Sequence, residues 1–126
     1  MVYTQESKQS WDRLDSRESF FEAFYAKLFE KLPKTKELFQ NVEIQHQKVS
    51  NLLNMMFNGL DLIDVLENEL NQVKKNHEKY NLKLQDFIIW RDLFIETLDE
   101  HIYLTPKEKL SWRFSFNTLI VEIMPD

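Results

Sequence analysis

Apolar side chains recur at steps of three and four residues along nearly the whole chain. This is the period of an amphipathic α-helix, whereas a half-buried strand would show an apolar residue at every second position. No repeat, low-complexity tract or linker interrupts the pattern. The sequence therefore predicts an all-α protein of about seven helices, folded as a single domain over residues 1–126.

Local signals mark the first two predicted helices. The first is expected over about residues 4–14, with Trp11 facing inward. The Asp-x-x-Glu sequence at 15–18 has the form of a capping box and is expected to open the second helix. That helix should stop before Pro33, because proline cannot continue the hydrogen-bond ladder. Its predicted inner face is broad and largely aromatic: Phe21, Phe24, Tyr25, Leu28, Phe29 and Leu32.

The remaining helices are predicted in the same way. A long helix is expected over about residues 42–63, and another over about 65–80. The last two are expected over 85–103 and 111–124. The sequence "TPKE" at 105–108 should open the final helix, with threonine as the N-cap, proline at the first helical position and glutamate closing a capping box.

His77 lies in a lysine-rich stretch, "VKKNHEKYNLKLQDF" at 73–87. The apolar residues Leu66, Leu70 and Val73 of its predicted helix are separated by four and then three residues. His77 follows Val73 by four residues and so continues the same series. The spacing predicts that the histidine points inward. An inward histidine is more often a hydrogen-bonded core residue than a ligand, so spacing alone leaves both roles open.

Composition narrows the chemistry. The chain has no cysteine, which excludes disulfides, thiolate metal sites and thioether attachment of a cofactor, so any cofactor must be held non-covalently. A net charge of -5, with lysines interspersed among glutamates, argues against nucleic acid and anionic membranes as partners. The absence of a long apolar run and of a secretion signal predicts a cytoplasmic protein. No carboxylate pair or histidine-rich metal motif points to catalysis.

Three segments carry a resemblance to a known family: "FYAKLFEKLPKTKELF" at 24–39, "QHQKV" at 45–49 and "NHEKYNLKLQDF" at 76–87. In this order they resemble the globins, in particular the bacterial single-domain hemoglobins and the heme domain of flavohemoglobins. The resemblance extends from Trp11 to Trp112. It implies a globin fold, with helices packed three-on-three around a pocket that holds heme b.

The resemblance implies a role for several residues near the heme. It makes His77 the proximal ligand of the iron, with its second ring nitrogen donating to a nearby carbonyl. Leu82 and Phe87 follow that histidine and are expected to contact the heme. Phe39 matches the phenylalanine that packs against the porphyrin.

On the opposite, distal side, Tyr25 matches a tyrosine whose hydroxyl can donate a hydrogen bond to a bound gas. Gln45 occupies the usual distal position, and Val49, one turn later, is expected to limit access to the iron. A shift of one residue would instead turn His46 toward the iron and allow coordination by two histidines. Lys48 is a candidate partner for a heme propionate.

The function implied is reversible binding of oxygen, nitric oxide or carbon monoxide by a monomer or homodimer. One alternative is a gas sensor or regulatory domain that signals to a partner protein. A less favoured one is a nitric oxide dioxygenase or weak peroxidase that depends on an external reductase. Flavohemoglobins pair the proximal histidine with a tyrosine and a glutamate that increase its electron donation. The position of that tyrosine is Phe87 in this chain, and the glutamate would be expected at about Asp126. No flavin or nicotinamide motif is present.

Overall fold

The computed structural model describes residues 5–38, 50, 53, 71, 74–75, 77–79 and 82–123. These ranges contain no strand, so the all-α prediction is confirmed. They contain five complete helices: α1 (Gln5–Asp12), α2 (Arg17–Lys31), α3 (Thr35–Leu38), α4 (Leu84–Ile102) and α5 (Pro106–Ile123). Of the helices predicted over 42–63 and 65–80, only the isolated positions named above lie in the described part, and each of them is helical.

Aromatic rings fill the core where the helices pair. Helix α1 packs on α5, α2 packs on α4, and α4 packs on α5. Phe94 of α4 lies at the centre of this arrangement, with its ring centroid 4.8 Å from Phe20, 4.9 Å from Phe116 and 5.5 Å from Trp112. Trp11 is buried, as its position in the first helix predicted. Large aromatic side chains therefore supply much of the apolar area that stabilises the helix pairs.

Helix α2 begins one residue later than the predicted capping box requires. Its N-cap is Ser16, which has an extended backbone and whose hydroxyl accepts a hydrogen bond from the N–H of Ser19, at 3.1 Å. The prediction of an Asp15 cap is therefore wrong. Aspartate and serine are comparably good N-caps, so the local sequence could not choose between adjacent positions. The predicted inner face is confirmed, and Phe20 is buried beside it.

The capping box predicted for α5 is confirmed. The N–H of Thr105 donates to Oε1 of Glu108 at 2.9 Å, and the N–H of Glu108 donates to the hydroxyl of Thr105 at 3.1 Å. Arg13, which follows α1, donates hydrogen bonds to this carboxylate from both terminal nitrogens of its guanidinium group. Glu108 thus fixes the start of α5 and ties it to the end of α1.

Small hydroxyl side chains allow α1 and α5 to approach closely. The N–H and Oγ of Ser7 lie 3.1 and 2.7 Å from Oγ of Ser111. Oγ of Ser10 donates to the carbonyl of Ser7 at 2.8 Å and accepts from Nε1 of Trp112 at 2.6 Å. These buried polar groups therefore bond one another across the helix interface. No helix in the described ranges is long and apolar enough to cross a bilayer.

Candidate functional site

His77 lies among the helical residues at 77–79 and is half-buried. Its ring meets the ring of Phe87 edge-on, with centroids 5.0 Å apart and planes at 67°. Its backbone carbonyl accepts a hydrogen bond from the N–H of Leu82 at 3.2 Å, which holds the chain as it leaves this segment. The imidazole therefore faces a core residue of α4.

Phe87 sits in the first turn of α4 and is 5% exposed. Lys83 is the N-cap of this helix, with an extended backbone, and its N–H donates to Oδ2 of Asp86 at 3.0 Å. The carboxylate satisfies one of the amide groups that a helix start leaves without a partner. This local bond fixes the turn from which Phe87 projects toward His77.

Tyr25 occupies the buried face of α2 and is 2% exposed. Its ring stacks on Phe21 and Phe29 of the same helix, at centroid distances of 6.1 and 5.8 Å. Burial raises the pKa of the phenol well above its ordinary value of 10.0, because the interior disfavours the phenolate. Tyr25 is therefore a neutral hydroxyl that can donate a hydrogen bond.

The structure places four of the residues singled out by the sequence in one connected region. Tyr25 and Phe87 belong to the same buried cluster, because α2 packs on α4. Leu82 is partly buried against that cluster, and His77 contacts it through Phe87. The remaining predicted site residues lie outside the described part of the chain: Phe39, Gln45, His46, Lys48 and Val49.

Asp86 was not singled out by the sequence, yet it joins two segments of this region. Its Oδ2 also accepts a hydrogen bond from Nζ of Lys34, at 2.8 Å. Burial alone would raise the pKa of this carboxyl. The hydrogen bonds from Lys34 and Lys83, together with the positive charge of both lysines, hold the pKa below its ordinary value of 3.8. These interactions favour the negatively charged form of Asp86.

His101 shows a different environment from His77. It is exposed in the last turn of α4, and its Nδ1 lies 2.9 Å from the carbonyl of Thr97. In the described ranges, no three histidine, cysteine or carboxylate side chains gather as they do around a metal ion held by several residues. A heme iron differs from such sites, because a single protein side chain suffices to hold it on one face.

Comparison with known proteins identifies the fold. The globin family model matches residues 22–123, a range that includes Tyr25, His77 and Phe87. A protein of Aquifex aeolicus (strain VF5), described as an uncharacterized globin-like protein, is 28% identical over 98 residues, which cover 75% of this chain and 69% of that protein. The family match spans most of the sequence, and its all-helical structure agrees with it. The chain therefore belongs to the globin family.

Proposed function

We propose that this globin holds heme b non-covalently, with His77 as the proximal ligand of the iron, and reversibly binds a diatomic gas on the opposite face. The observation that carries the proposal is the position of His77. Its imidazole is half-buried on a helical segment and rests edge-on against Phe87, which shares a core cluster with Tyr25. Membership of the globin family supports the same conclusion.

The chemistry of the described side chains fits a heme. An imidazole is a common ligand for heme iron, and His77 would supply one. The rings and aliphatic groups of Phe87 and Leu82 supply apolar surface of the kind that a porphyrin contacts. Bound heme supplies the iron to which oxygen, nitric oxide or carbon monoxide coordinates. The chain has no cysteine, so the cofactor must be held without thioether bonds.

Each residue then has a defined task. One ring nitrogen of His77 would bind the heme iron, and the other would donate a hydrogen bond that fixes the tautomer and ring plane. Tyr25 would donate a hydrogen bond from its hydroxyl to the bound gas, and burial keeps that hydroxyl protonated. Gln45, or His46 after a shift of one residue, completes the distal side. Val49 limits access on that side.

Two further contacts with the cofactor belong to the same proposal. Phe39 packs against the porphyrin. Lys48 pairs with a heme propionate, because a lysine ammonium on a flexible stem can reach a carboxylate at the pocket edge.

Phe87 favours reversible binding over oxidative turnover. Its ring lies directly against His77 and has no hydroxyl, so this position offers no hydrogen bond that would strengthen electron donation by the histidine. A dedicated oxidant benefits from such a partner, because outer hydrogen bonds raise ligand basicity. Nitric oxide dioxygenation would, in addition, require an external reductase.

Heme titration of the purified apoprotein tests the proposal. The wild-type chain should bind heme at one equivalent and develop a strong Soret band. His77→Ala should weaken heme affinity by more than about tenfold, since loss of even an outer partner of a metal ligand costs about that much. His101→Ala is the matched control and should bind as wild type does. Equal affinity and equal spectra for wild type and His77→Ala would contradict the proposal.

A further inference from the structure

Asp86 accepts hydrogen bonds from two different parts of the chain at one carboxylate oxygen. Nζ of Lys34 donates to Oδ2 at 2.8 Å, and the N–H of Lys83 donates to the same atom at 3.0 Å. The aspartate side chain is only 12% exposed, although that of Lys34 is 52% exposed. Because the Asp86 carboxylate is largely removed from solvent, its charge-assisted hydrogen bond is stronger than that of a fully exposed ion pair.

In the sequence, the two donors lie near residues of the proposed heme site: Lys34 precedes Phe39, and Lys83 follows Leu82. Lys34 is in the turn between α2, which carries Tyr25, and α3, which leads directly into Phe39. That turn is itself ordered, because the hydroxyl of Thr35 donates to the carbonyl of Leu32 at 2.6 Å and Thr35 is 4% exposed. Asp86 is therefore bonded to a lysine that belongs to an ordered turn.

Asp86, the acceptor of both hydrogen bonds, is next to the residue that contacts His77, the proposed proximal ligand. Asp86 immediately precedes Phe87, whose N–H donates to the carbonyl of Lys83 at 3.3 Å and whose ring contacts His77. The short connection between His77 and α4 is anchored by the bond from the N–H of Leu82 to the carbonyl of His77. A displacement of the first turn of α4 would thus move the surface on which the imidazole rests.

We propose that Asp86 is a positioning residue for His77: by tying the turn at Lys34 to the first turn of α4, it fixes Phe87 and so sets the orientation of the imidazole toward the heme iron. This inference rests on the proposed role of His77. Packed side chains and short hydrogen bonds transmit such a constraint, because they have few alternative arrangements of similar energy.

A second ion pair that also involves α4 supplies the control. Nζ of Lys27 on α2 lies 2.6 Å from Oε2 of Glu100 on α4, but the Glu100 side chain is 53% exposed, whereas that of Asp86 is 12% exposed. Glu100 lies 14 residues beyond Asp86 on the same helix, or about 21 Å along its axis at 1.5 Å per residue. The Lys27 pair thus also bonds a residue of α4, but far from Phe87.

The test uses the full chain reconstituted with heme. Resonance Raman spectra of the ferrous form, free of added gas, report the iron–histidine stretch, which responds to imidazole orientation. Asp86→Asn keeps an acceptor for the N–H of Lys83 but removes the charge that holds Lys34. It should shift or broaden the band and speed heme loss to an excess acceptor globin by about fivefold, the equivalent of one such interaction.

Lys34→Gln should change the band in the same way as Asp86→Asn does, and the double variant should add no further change, because both substitutions remove the same ion pair. Glu100→Gln should leave the band and the rate of heme loss as in wild type. If Asp86→Asn does not fold, Lys34→Gln carries the test, since it leaves the helix cap intact.

Two results would overturn the inference: an iron–histidine band that is unchanged in a heme-bound Asp86→Asn or Lys34→Gln protein, or shifts in the double variant that are the sum of the single ones. A failure of the proposed function would look different. In that case the wild-type chain would take up no heme, or His77→Ala would keep the same band.

Discussion

The ring of His77 rests edge-on against the ring of Phe87, with centroids 5.0 Å apart. In this geometry the positive edge of one ring meets the negative face of the other, an arrangement that contributes about 0.5 to 1.5 kcal/mol beyond the area it buries. Phe87 is buried in the core, whereas His77 is half-buried. Phe87 therefore provides a buried apolar surface against which the ring of His77 packs.

Replacing Phe87 with a smaller apolar residue should weaken its contact with His77 while keeping the position apolar. Phe87→Leu keeps an apolar side chain but removes the edge-on contact, so the heme-free protein should lose about 1 to 2 kcal/mol of unfolding free energy. Urea unfolding followed by circular dichroism measures the loss. An unchanged midpoint with an unchanged slope would show that the ring contact does not stabilise the fold.

Tyr25 should control how quickly a bound gas leaves. Tyr25→Phe removes one donor while keeping the ring stack, so dissociation of oxygen or carbon monoxide should accelerate by about fivefold, equivalent to a hydrogen bond of about 1 kcal/mol. Stopped-flow displacement of the gas measures this rate. A Tyr25→Phe rate equal to that of wild type would remove Tyr25 from the distal side.

The pH dependence of the same rate tests the raised pKa of Tyr25. Burial disfavours the phenolate, so the hydroxyl stays protonated even at the ordinary tyrosine pKa of 10.0. The difference in dissociation rate between wild type and Tyr25→Phe should therefore stay constant from neutral pH up to that value. A difference that disappears near pH 10.0 would show that the phenol titrates normally.

The start of α5 should make the fold sensitive to acid. The hydrogen bond from Arg13 chiefly lowers the pKa of Glu108 below its ordinary value of 4.5; burial opposes this shift, and the N–H of Thr105 adds to it. The unfolded state therefore binds more protons in acid. The stabilisation is complete above pH 4.5 and is lost as the pH falls through the folded-state pKa. Asp86 and Asp99 have lowered pKa values and act in the same direction.

Glu108→Gln isolates this contribution. The variant keeps an acceptor for Thr105 but loses the charge that pairs with Arg13, which is itself partly exposed, so the loss at neutral pH should be about 1 kcal/mol. Urea unfolding at a series of pH values should show the gap from wild type narrowing below pH 4.5. The exposed Glu96→Gln serves as the control and should differ from wild type by less than about 0.5 kcal/mol at neutral pH. A gap that stays constant in acid would contradict the assignment.

The buried hydroxyls between α1 and α5 should contribute strongly to stability. Ser10→Ala removes the acceptor of the Trp112 indole N–H and leaves that donor buried, which costs about 1 to 3 kcal/mol. Thr118→Ala, at an exposed position of α5 where the hydroxyl bonds the carbonyl of Phe114, should cost less than about 0.5 kcal/mol. Thermal unfolding of the two variants compares them. Equal melting temperatures would show that the indole finds another acceptor.

The sequence predicted the all-α globin fold, and the details that it predicted correctly were chiefly local. The "TPKE" box of α5 is confirmed because both of its hydrogen bonds join residues three apart, and Trp11 is buried as helical spacing requires. The cap of α2 was placed at Asp15 instead of Ser16, because either residue can accept the same type of bond.

Relationships between distant residues could not be predicted in this way. Lys34 and Asp86 are 52 positions apart, and no local pattern identifies one as the partner of the other. The same holds for the serines of α1 and α5, which looked like ordinary polar positions until the two helices were paired. The spacing of His77 predicted an inward side chain, and the globin resemblance supplied a reason for it.

A cavity variant tests most directly the proposal that His77 ligates heme iron. His77→Gly removes the imidazole and leaves space that a free imidazole can enter. Absorption spectra of the ferrous and carbon monoxide forms should change in His77→Gly and return to those of wild type when imidazole is added. His77→Gly spectra that match wild type before any imidazole is added would contradict the claim.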